Sequence, residues 1–131
     1  MKSILFLIVG CCTIAVFNSF IIQNNEWLAP KSESEKKNSV ESNEKSLKLG
    51  KKIYDKMCWT CHGNEGKGDG PAAAALNPKP AAFTDSNFQQ QKDGAIFWKI
   101  KTGRGTMVSY ENSLTEDQRW AVINYLRTFK K

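Results

Sequence analysis

The chain has 131 residues, a formal net charge of +6 and a mean hydropathy of −0.48, and this length leaves room for one small domain. Residues 4–22 are almost wholly apolar, whereas residues 31–46 are mainly Lys, Ser, Glu and Asn. A stretch that polar buries too little surface to offset the entropy lost on ordering. The sequence therefore predicts an apolar anchor or signal over residues 1–22, a flexible polar linker over residues 23–46 and a folded domain over residues 47–131.

The apolar residues 4–22 are long enough to cross a membrane as a helix of about 28 Å. Lys2 precedes them and Glu26 follows, so the positive-inside rule predicts that the domain lies on the periplasmic side of the cytoplasmic membrane. Two alternatives stay open. The tetrapeptide ending at Cys11 resembles a lipobox, in which Cys11 would be acylated, and the segment could instead be a cleaved secretory signal.

Cys58, Cys61 and His62 lie within five positions and include the only histidine of the chain. A structural zinc site needs four ligands, and the exported part of the chain has no other Cys or His. A thioredoxin-like pair follows a buried strand, but residues 46–57 have helical spacing. Cys-x-x-Cys-His is the attachment motif of c-type haem. It predicts one covalently bound haem c, with two thioether bonds and His62 on the iron.

The other patterns predict helices and no strand. Residues 46–57 form one helix, a second begins with Asp93 as its N-cap and ends at Gly103, and a third follows a capping box at residues 115–118. Residues 63–83 are rich in Gly and Pro and predict a loop. The expected fold class is all-α, with three to four short helices.

Residues 47–129 resemble a class I cytochrome c domain. In that family the N-terminal helix carries a Gly and, four positions later, an aromatic residue, as Gly50 and Tyr54 do here. The C-terminal helix crosses it with an aliphatic and an aromatic residue three positions apart, as Val122 and Tyr125 are. The resemblance implies the class I cytochrome c fold, in which the short helices surround a covalently bound haem.

The resemblance also implies a hydrogen bond from the ring of His62 to a proline carbonyl. In the family this proline follows a glycine a little after the haem motif, and its carbonyl fixes the orientation of the imidazole. Pro71, after a glycine, fits that position best, ahead of Pro78 and Pro80.

The sixth iron ligand in such domains is a methionine in the loop before the last helix, which implies Met107. Met57 is adjacent to Cys58 and too close to reach the opposite face of the haem. The family commonly has a proline after this methionine, but Val108 follows here. The loop is therefore less constrained, and we expect this ligand to be displaced more easily than usual.

Three side chains beside the expected pocket have donors for the haem propionates: Trp98, Arg104 and Tyr110. The alternative is that Trp98 belongs to the core and Arg104 is solvated.

An iron closed on both faces by His and Met has no vacant position for a substrate, and no constellation of acid, base or nucleophile is visible. The expected function is one-electron transfer in an extracytoplasmic respiratory chain, without enzymatic activity. Two alternatives stay open: a five-coordinate haem sensor, if Met107 does not bind the iron, and a cytochrome subunit of a larger oxidase or dehydrogenase.

The domain is basic, with 14 Lys and Arg against 8 Asp and Glu from residue 47 onward. This excess predicts redox partner proteins with acidic docking faces, although attraction to anionic lipid would have the same origin. Nothing indicates a nucleic acid or a small-molecule substrate. The membrane is the other expected partner, through the N-terminal segment.

Overall fold

Short helices joined by loops make up residues 26–131, the part of the chain described by this computed structural model. The α-helices are α1 (Lys31–Ser34), α2 (Glu44–Met57), α3 (Trp59–His62), α4 (Ser86–Gln89), α5 (Asp93–Thr102) and α6 (Glu116–Arg127), with a 3₁₀ turn at Ala73–Ala75. The described residues contain no strand, only an isolated bridge between Arg104 and Met107. The expected all-α class is confirmed.

The crossing of α2 and α6 is the central contact of the fold. A Cβ atom on Gly50 would collide with the carbonyl oxygen of Ala121 and lie 2.8 Å from the Cβ of Tyr125, so glycine lets the two backbones touch. Tyr54 is 1% exposed and packs edge-on against Tyr125, with ring centroids 5.3 Å apart. Val122 is buried on the same face of α6. The crossing of α2 and α6 implied by Gly50, Tyr54, Val122 and Tyr125 is confirmed.

The ends of the helices follow the sequence signals with one exception. Thr115 and Gln118 form the expected capping box at the start of α6. Gly103 ends α5 with a φ of 66°, a conformation that favours glycine. The N-cap of α5 is Lys92, and Asp93 makes no capping hydrogen bond. The prediction for Asp93 is wrong because its carboxylate instead pairs with Arg127, at 2.5 Å from Nη2.

Residues 26–43 lie against the domain, and we call them the N-terminal strap. Its helix α1 packs on α5 so closely that a Cβ atom on Gly94 would collide with the carbonyl oxygen of Glu33. Further along, the buried Asn124 of α6 accepts a hydrogen bond from Asn38 at 2.8 Å and donates one to the carbonyl of Val40 at 3.1 Å.

The strap corrects the prediction of a flexible linker over residues 23–46. Within the described residues, 26–43 are packed and 44–46 already belong to α2. The polar side chains remain mostly at the surface, while Asn124 donates to the carbonyls of Val40 and Glu41 and the carbonyl of Glu33 lies against Gly94. Composition alone does not show this, because the attachment depends on backbone carbonyls, on polar side chains such as Asn38 and Glu35, and on two separate apolar residues, Trp27 and Val40.

No helix among residues 26–131 combines the length and the apolar character needed to cross a membrane. The predicted anchor or signal, with its alternative acylation site Cys11, lies outside the described residues.

Candidate haem site

The junction of α2 and α3 brings the haem motif together. Cys58 is the C-cap of α2 and the N-cap of α3, and its carbonyl oxygen accepts hydrogen bonds from the backbone N–H groups of Cys61 and His62 at 3.2 and 2.9 Å. This tight turn places both thiols and the imidazole on the wall of one cavity. The two thiols form no disulfide.

The cavity beside the motif has a volume of about 330 Å³ and is walled mainly by apolar side chains, as is typical of cofactor pockets. Its lining consists of Trp27, Met57, Cys58, Cys61, His62, Leu76, Pro78, Lys79, Pro80, Ala81, Arg104, Thr106, Met107, Val108 and Tyr110. A smaller apolar cavity of about 30 Å³ reaches inward to α6 and shares Cys58, His62, Met107 and Tyr110 with it. Met107 therefore faces the same space as the cysteines and the histidine.

The imidazole of His62 is oriented by two contacts. Its Nδ1 lies 3.0 Å from the carbonyl oxygen of Ala81, which can only accept, so Nδ1 carries the proton. The ring stacks on Phe83 with centroids 4.4 Å apart and planes at 20°. Burial lowers the pKa of His62, opposed by the hydrogen bond to Ala81. A neutral imidazole with Nδ1–H leaves Nε2 free to bind a metal.

The acceptor for His62 corrects the expected role of Pro71. Pro71 is exposed and does not line the cavity. The preceding Gly70 lies against α3: its N–H donates to the carbonyl of Cys61 at 3.2 Å, and a Cβ atom there would collide with the carbonyl of Thr60. The Gly70–Pro71 pair thus closes the turn after α3, and the later segment through Ala81 supplies the carbonyl.

A tight turn carries Met107 to the cavity. The backbone of Arg104 and that of Met107 exchange two hydrogen bonds, of 2.8 and 3.0 Å. Gly103 starts the turn, and a Cβ atom there would lie 2.5 Å from the carbonyl oxygen of Met107. The turn is therefore closed by backbone contacts, although Val108 stands where the family commonly has proline.

Two side chains fix the chain that follows Met107. The hydroxyl of Tyr110 donates to the carbonyl of Met57 at 3.0 Å. The guanidinium of Arg119, which is 7% exposed, donates to the carbonyls of Tyr110 and Glu111, each at 3.1 Å, and to that of Leu114. Sequence reasoning missed Arg119, because a positive charge in an amphipathic helix ordinarily indicates a solvated position.

The three expected propionate donors have different positions. Arg104 and Tyr110 line the cavity, but the hydroxyl proton of Tyr110 is already donated to Met57. Trp98 does not line the cavity, and its ring packs against that of Trp27 with centroids 6.2 Å apart. The role of Trp98 as a propionate donor stays a prediction, and Trp27, which lies before the expected domain, lines the cavity.

The donor set fits a covalently attached haem. Both thiols are unpaired, and burial, followed by the neighbouring Cys61, raises the pKa of Cys58 to about 12. His62 offers a neutral ring nitrogen and Met107 offers a thioether, on a cavity whose other walls are mainly apolar. Cys58 and Cys61 would form the thioether links, and the apolar walls would exclude water from the porphyrin.

The family model for cytochrome c matches residues 47–130. The chain belongs to the cytochrome c family. Membership implies haem c bound covalently at Cys58 and Cys61, and it supports haem-based electron transfer as the function. The match begins at residue 47, after the N-terminal strap.

One curated relative is cytochrome c6 of Chlorolobion braunii, which is 30% identical over 83 residues, or 63% of this chain and 90% of the relative. A similar solved structure is the "KustC0563 c-type cytochrome", with a TM-score of 0.56, 30% identity and coverage of 63% of this chain and 98% of the other.

A second similar structure is part of the Kuenenia stuttgartiensis "reducing HAO-like protein complex Kustc0457/Kustc0458". Its TM-score is 0.65 at 31% identity, and the match covers 70% of this chain. The present chain spans about half (47%) of that longer chain.

Proposed function

We propose that this protein is a one-electron carrier whose haem iron is bound by His62 on one face and Met107 on the other. The observation that carries the proposal is that both side chains line the same two cavities as Cys58. When bound, haem supplies one-electron cycling of its iron, and a methionine sulfur favours the ferrous state.

The chain's own contribution is to hold both ligands still. His62 is oriented by Ala81 and by stacking on Phe83, and the turn that carries Met107 is closed by backbone hydrogen bonds. A coordination set that does not change with oxidation state needs little rearrangement when an electron arrives or leaves. With both axial positions filled, no site remains for oxygen or peroxide, so we propose no enzymatic activity.

The absorption spectrum of the purified holoprotein tests the axial ligands. We expect a low-spin haem with the weak far-red band of ferric iron bound to methionine sulfur. Met107→Ala should keep the haem attached but give a high-spin or water-bound iron, a lower midpoint potential and ready binding of carbon monoxide. Met107→His should stay low-spin with a lower potential, because imidazole favours the ferric state more than thioether does. A high-spin native spectrum would favour the haem sensor.

We also propose that the domain works outside the cytoplasm, tethered to the cytoplasmic membrane through residues 4–22, in a respiratory chain. The support is the apolar run together with the charge of its flanks. Fractionation of cells that produce the chain, with mass spectrometry of its N-terminus, separates an intact anchor from acylation at Cys11 and from cleavage.

For partners we propose redox proteins with acidic docking faces, because the domain carries 14 basic against 8 acidic residues. Attraction between opposite charges is screened over about 10 Å at 0.1 M salt. Electron-transfer rates with the partner should therefore fall as the salt concentration rises, and a rate independent of salt would remove this proposal.

A second candidate is a stable subunit of a larger redox complex. It is favoured by the match to a chain of the HAO-like complex, which is longer than this one. Purification from membranes in mild detergent distinguishes the two, since a subunit would co-purify with other chains in fixed ratio and a carrier would elute alone.

A further inference from the structure

Trp27 lies on the wall of the haem cavity although it is outside the family match, which begins at residue 47. It shares that wall with Arg104 and Met107. Trp27 is therefore a wall residue contributed by the segment that precedes the family match.

The ring of Trp27 is placed by contacts with α5 and the turn after it. Its centroid is 6.2 Å from that of Trp98, with the planes at 58°. Lys99 Nζ lies 5.6 Å and Arg104 Cζ 6.0 Å from the same ring. Aromatic and cation–π contacts of this kind each contribute about 0.5–1.5 kcal/mol, so several together favour one position of the ring.

The N-terminal strap fixes the chain that leads from Trp27 to α2. Glu35 and Lys92 form an ion pair of 2.5 Å, and α1 is in backbone contact with Gly94. The amide of Asn124 then binds the strap at its other end. Trp27 therefore reaches the cavity as the end of a packed segment.

We propose that Trp27 is a haem-contacting residue that limits the access of water to the cavity and so raises the reduction potential of the iron. The apolar shell around a metal site controls solvent access and local dielectric, and hence its potential. A drier site disfavours the more highly charged ferric form. The proposal rests on the haem-based electron transfer proposed above, but it does not depend on which residue is the sixth ligand.

The test compares three variants of the full-length holoprotein: Trp27→Ala, Trp27→Phe and, as matched control, Leu28→Ala. Leu28 is the next residue of the strap, is 71% exposed and does not line the haem cavity. Trp27→Ala should lower the midpoint potential and increase the rate of imidazole binding several-fold. Trp27→Phe keeps an apolar ring, so its potential and imidazole rate should lie between those of Trp27→Ala and the native protein. Leu28→Ala should have the potential and imidazole rate of the native protein.

A purely structural role of Trp27 would lower the thermal unfolding temperature but leave the potential and the imidazole rate equal to those of Leu28→Ala. That result would overturn the proposal. Gly94→Ala supplies an independent arm, because the added Cβ must push α1 away from α5 while Trp27 itself is kept. It should reproduce the lower potential. If the native protein lacks the far-red band of methionine-bound iron, only the proposed axial ligands are contradicted. If Trp27→Ala leaves the midpoint potential unchanged, only the role of Trp27 is contradicted.

Discussion

The hydroxyl of Tyr110 donates to the carbonyl oxygen of Met57 across 53 residues of sequence, at a distance of 3.0 Å. Met57 is the last residue of α2 and directly precedes Cys58, while Tyr110 follows Met107 by three positions. The bond therefore joins the segment that attaches the haem to the segment that offers the sixth ligand. Separation of these two segments would widen the cavity between His62 and Met107.

Tyr110→Phe should loosen the loop that carries Met107. Removal of the hydroxyl leaves the carbonyl of Met57 without this donor, and loss of one such bond costs about 0.5–1.5 kcal/mol. We expect a comparable loss in the free energy of unfolding and faster displacement of the sixth ligand by imidazole, followed by absorption spectroscopy. Tyr125→Phe is the control, since it makes the same chemical change at the crossing of α2 and α6. Equal imidazole rates in the two variants would show that the bond does not restrain the loop.

Arg119→Met should destabilise the protein more than a typical surface substitution. The guanidinium donates to the carbonyls of Tyr110, Glu111 and Leu114, and hydrogen bonds from charged donors contribute about 1.5–3 kcal/mol. Methionine replaces the aliphatic stem of the side chain but has no donor, so it leaves those carbonyls unsatisfied. Denaturant titration should show a loss of about 2–4 kcal/mol. Arg119→Lys keeps the charge without the planar fork, and a fully native stability in that variant would mean that charge alone is sufficient.

Gly50→Ala should weaken the crossing of α2 and α6. The new methyl group would collide with the carbonyl of Ala121, and overpacking of this kind costs about 1–3 kcal/mol. By helix propensity alone, alanine would stabilise α2 relative to glycine by about 1 kcal/mol. A net loss of stability would therefore be due to the steric clash with Ala121. Lys52→Ala, at an exposed position of the same helix, serves as control. A more stable Gly50→Ala variant in thermal unfolding would show that the backbones can separate without cost.

Replacement of both Cys58 and Cys61 by Ala should prevent the domain from reaching its native packing. The helices among residues 26–131 have at most 14 residues, and isolated helices shorter than about 12–15 residues are marginal in water. Without attached haem the cavity between His62 and Met107 loses its apolar filling. We expect a chain that fails to accumulate, or one with helical far-ultraviolet circular dichroism but no cooperative thermal transition. Cooperative unfolding of the haem-free variant would show that the protein core is sufficient.

Local signals explain which parts of the fold were predictable. The Cys-x-x-Cys-His motif predicts covalent haem attachment by itself. Apolar spacing, capping residues and Gly103 predict α2, α5 and α6, because each of these signals acts within a few positions of the chain. The crossing of α2 and α6 was accessible only through the resemblance of Gly50 and Tyr125 to family positions. The spacing of apolar residues within one helix does not predict which other helix packs against it.

Long-range backbone contacts explain what was missed. The carbonyl that orients His62 belongs to Ala81, and any carbonyl in the loop after α3 has the same chemistry, so sequence gave no reason to prefer it over Pro71. The sequence predicts a solvated linker in place of the N-terminal strap, because the attachment of the strap depends on Asn124, Gly94 and the ring of Trp27. None of these contacts leaves an apolar pattern in the strap itself.

The packing of the strap also determines how far the haem domain can travel. If residues 4–22 cross the membrane as proposed, only residues 23–26 separate the bilayer from Trp27, and fully extended they span less than about 20 Å. A free coil of 24 residues would instead let the domain sweep between distant complexes. With the cavity mouth held this close to the lipid surface, donor and acceptor would both have to meet the haem edge near the membrane plane. The haem domain would then exchange electrons only with complexes next to its anchor, and diffusion of the whole molecule within the bilayer would set its range.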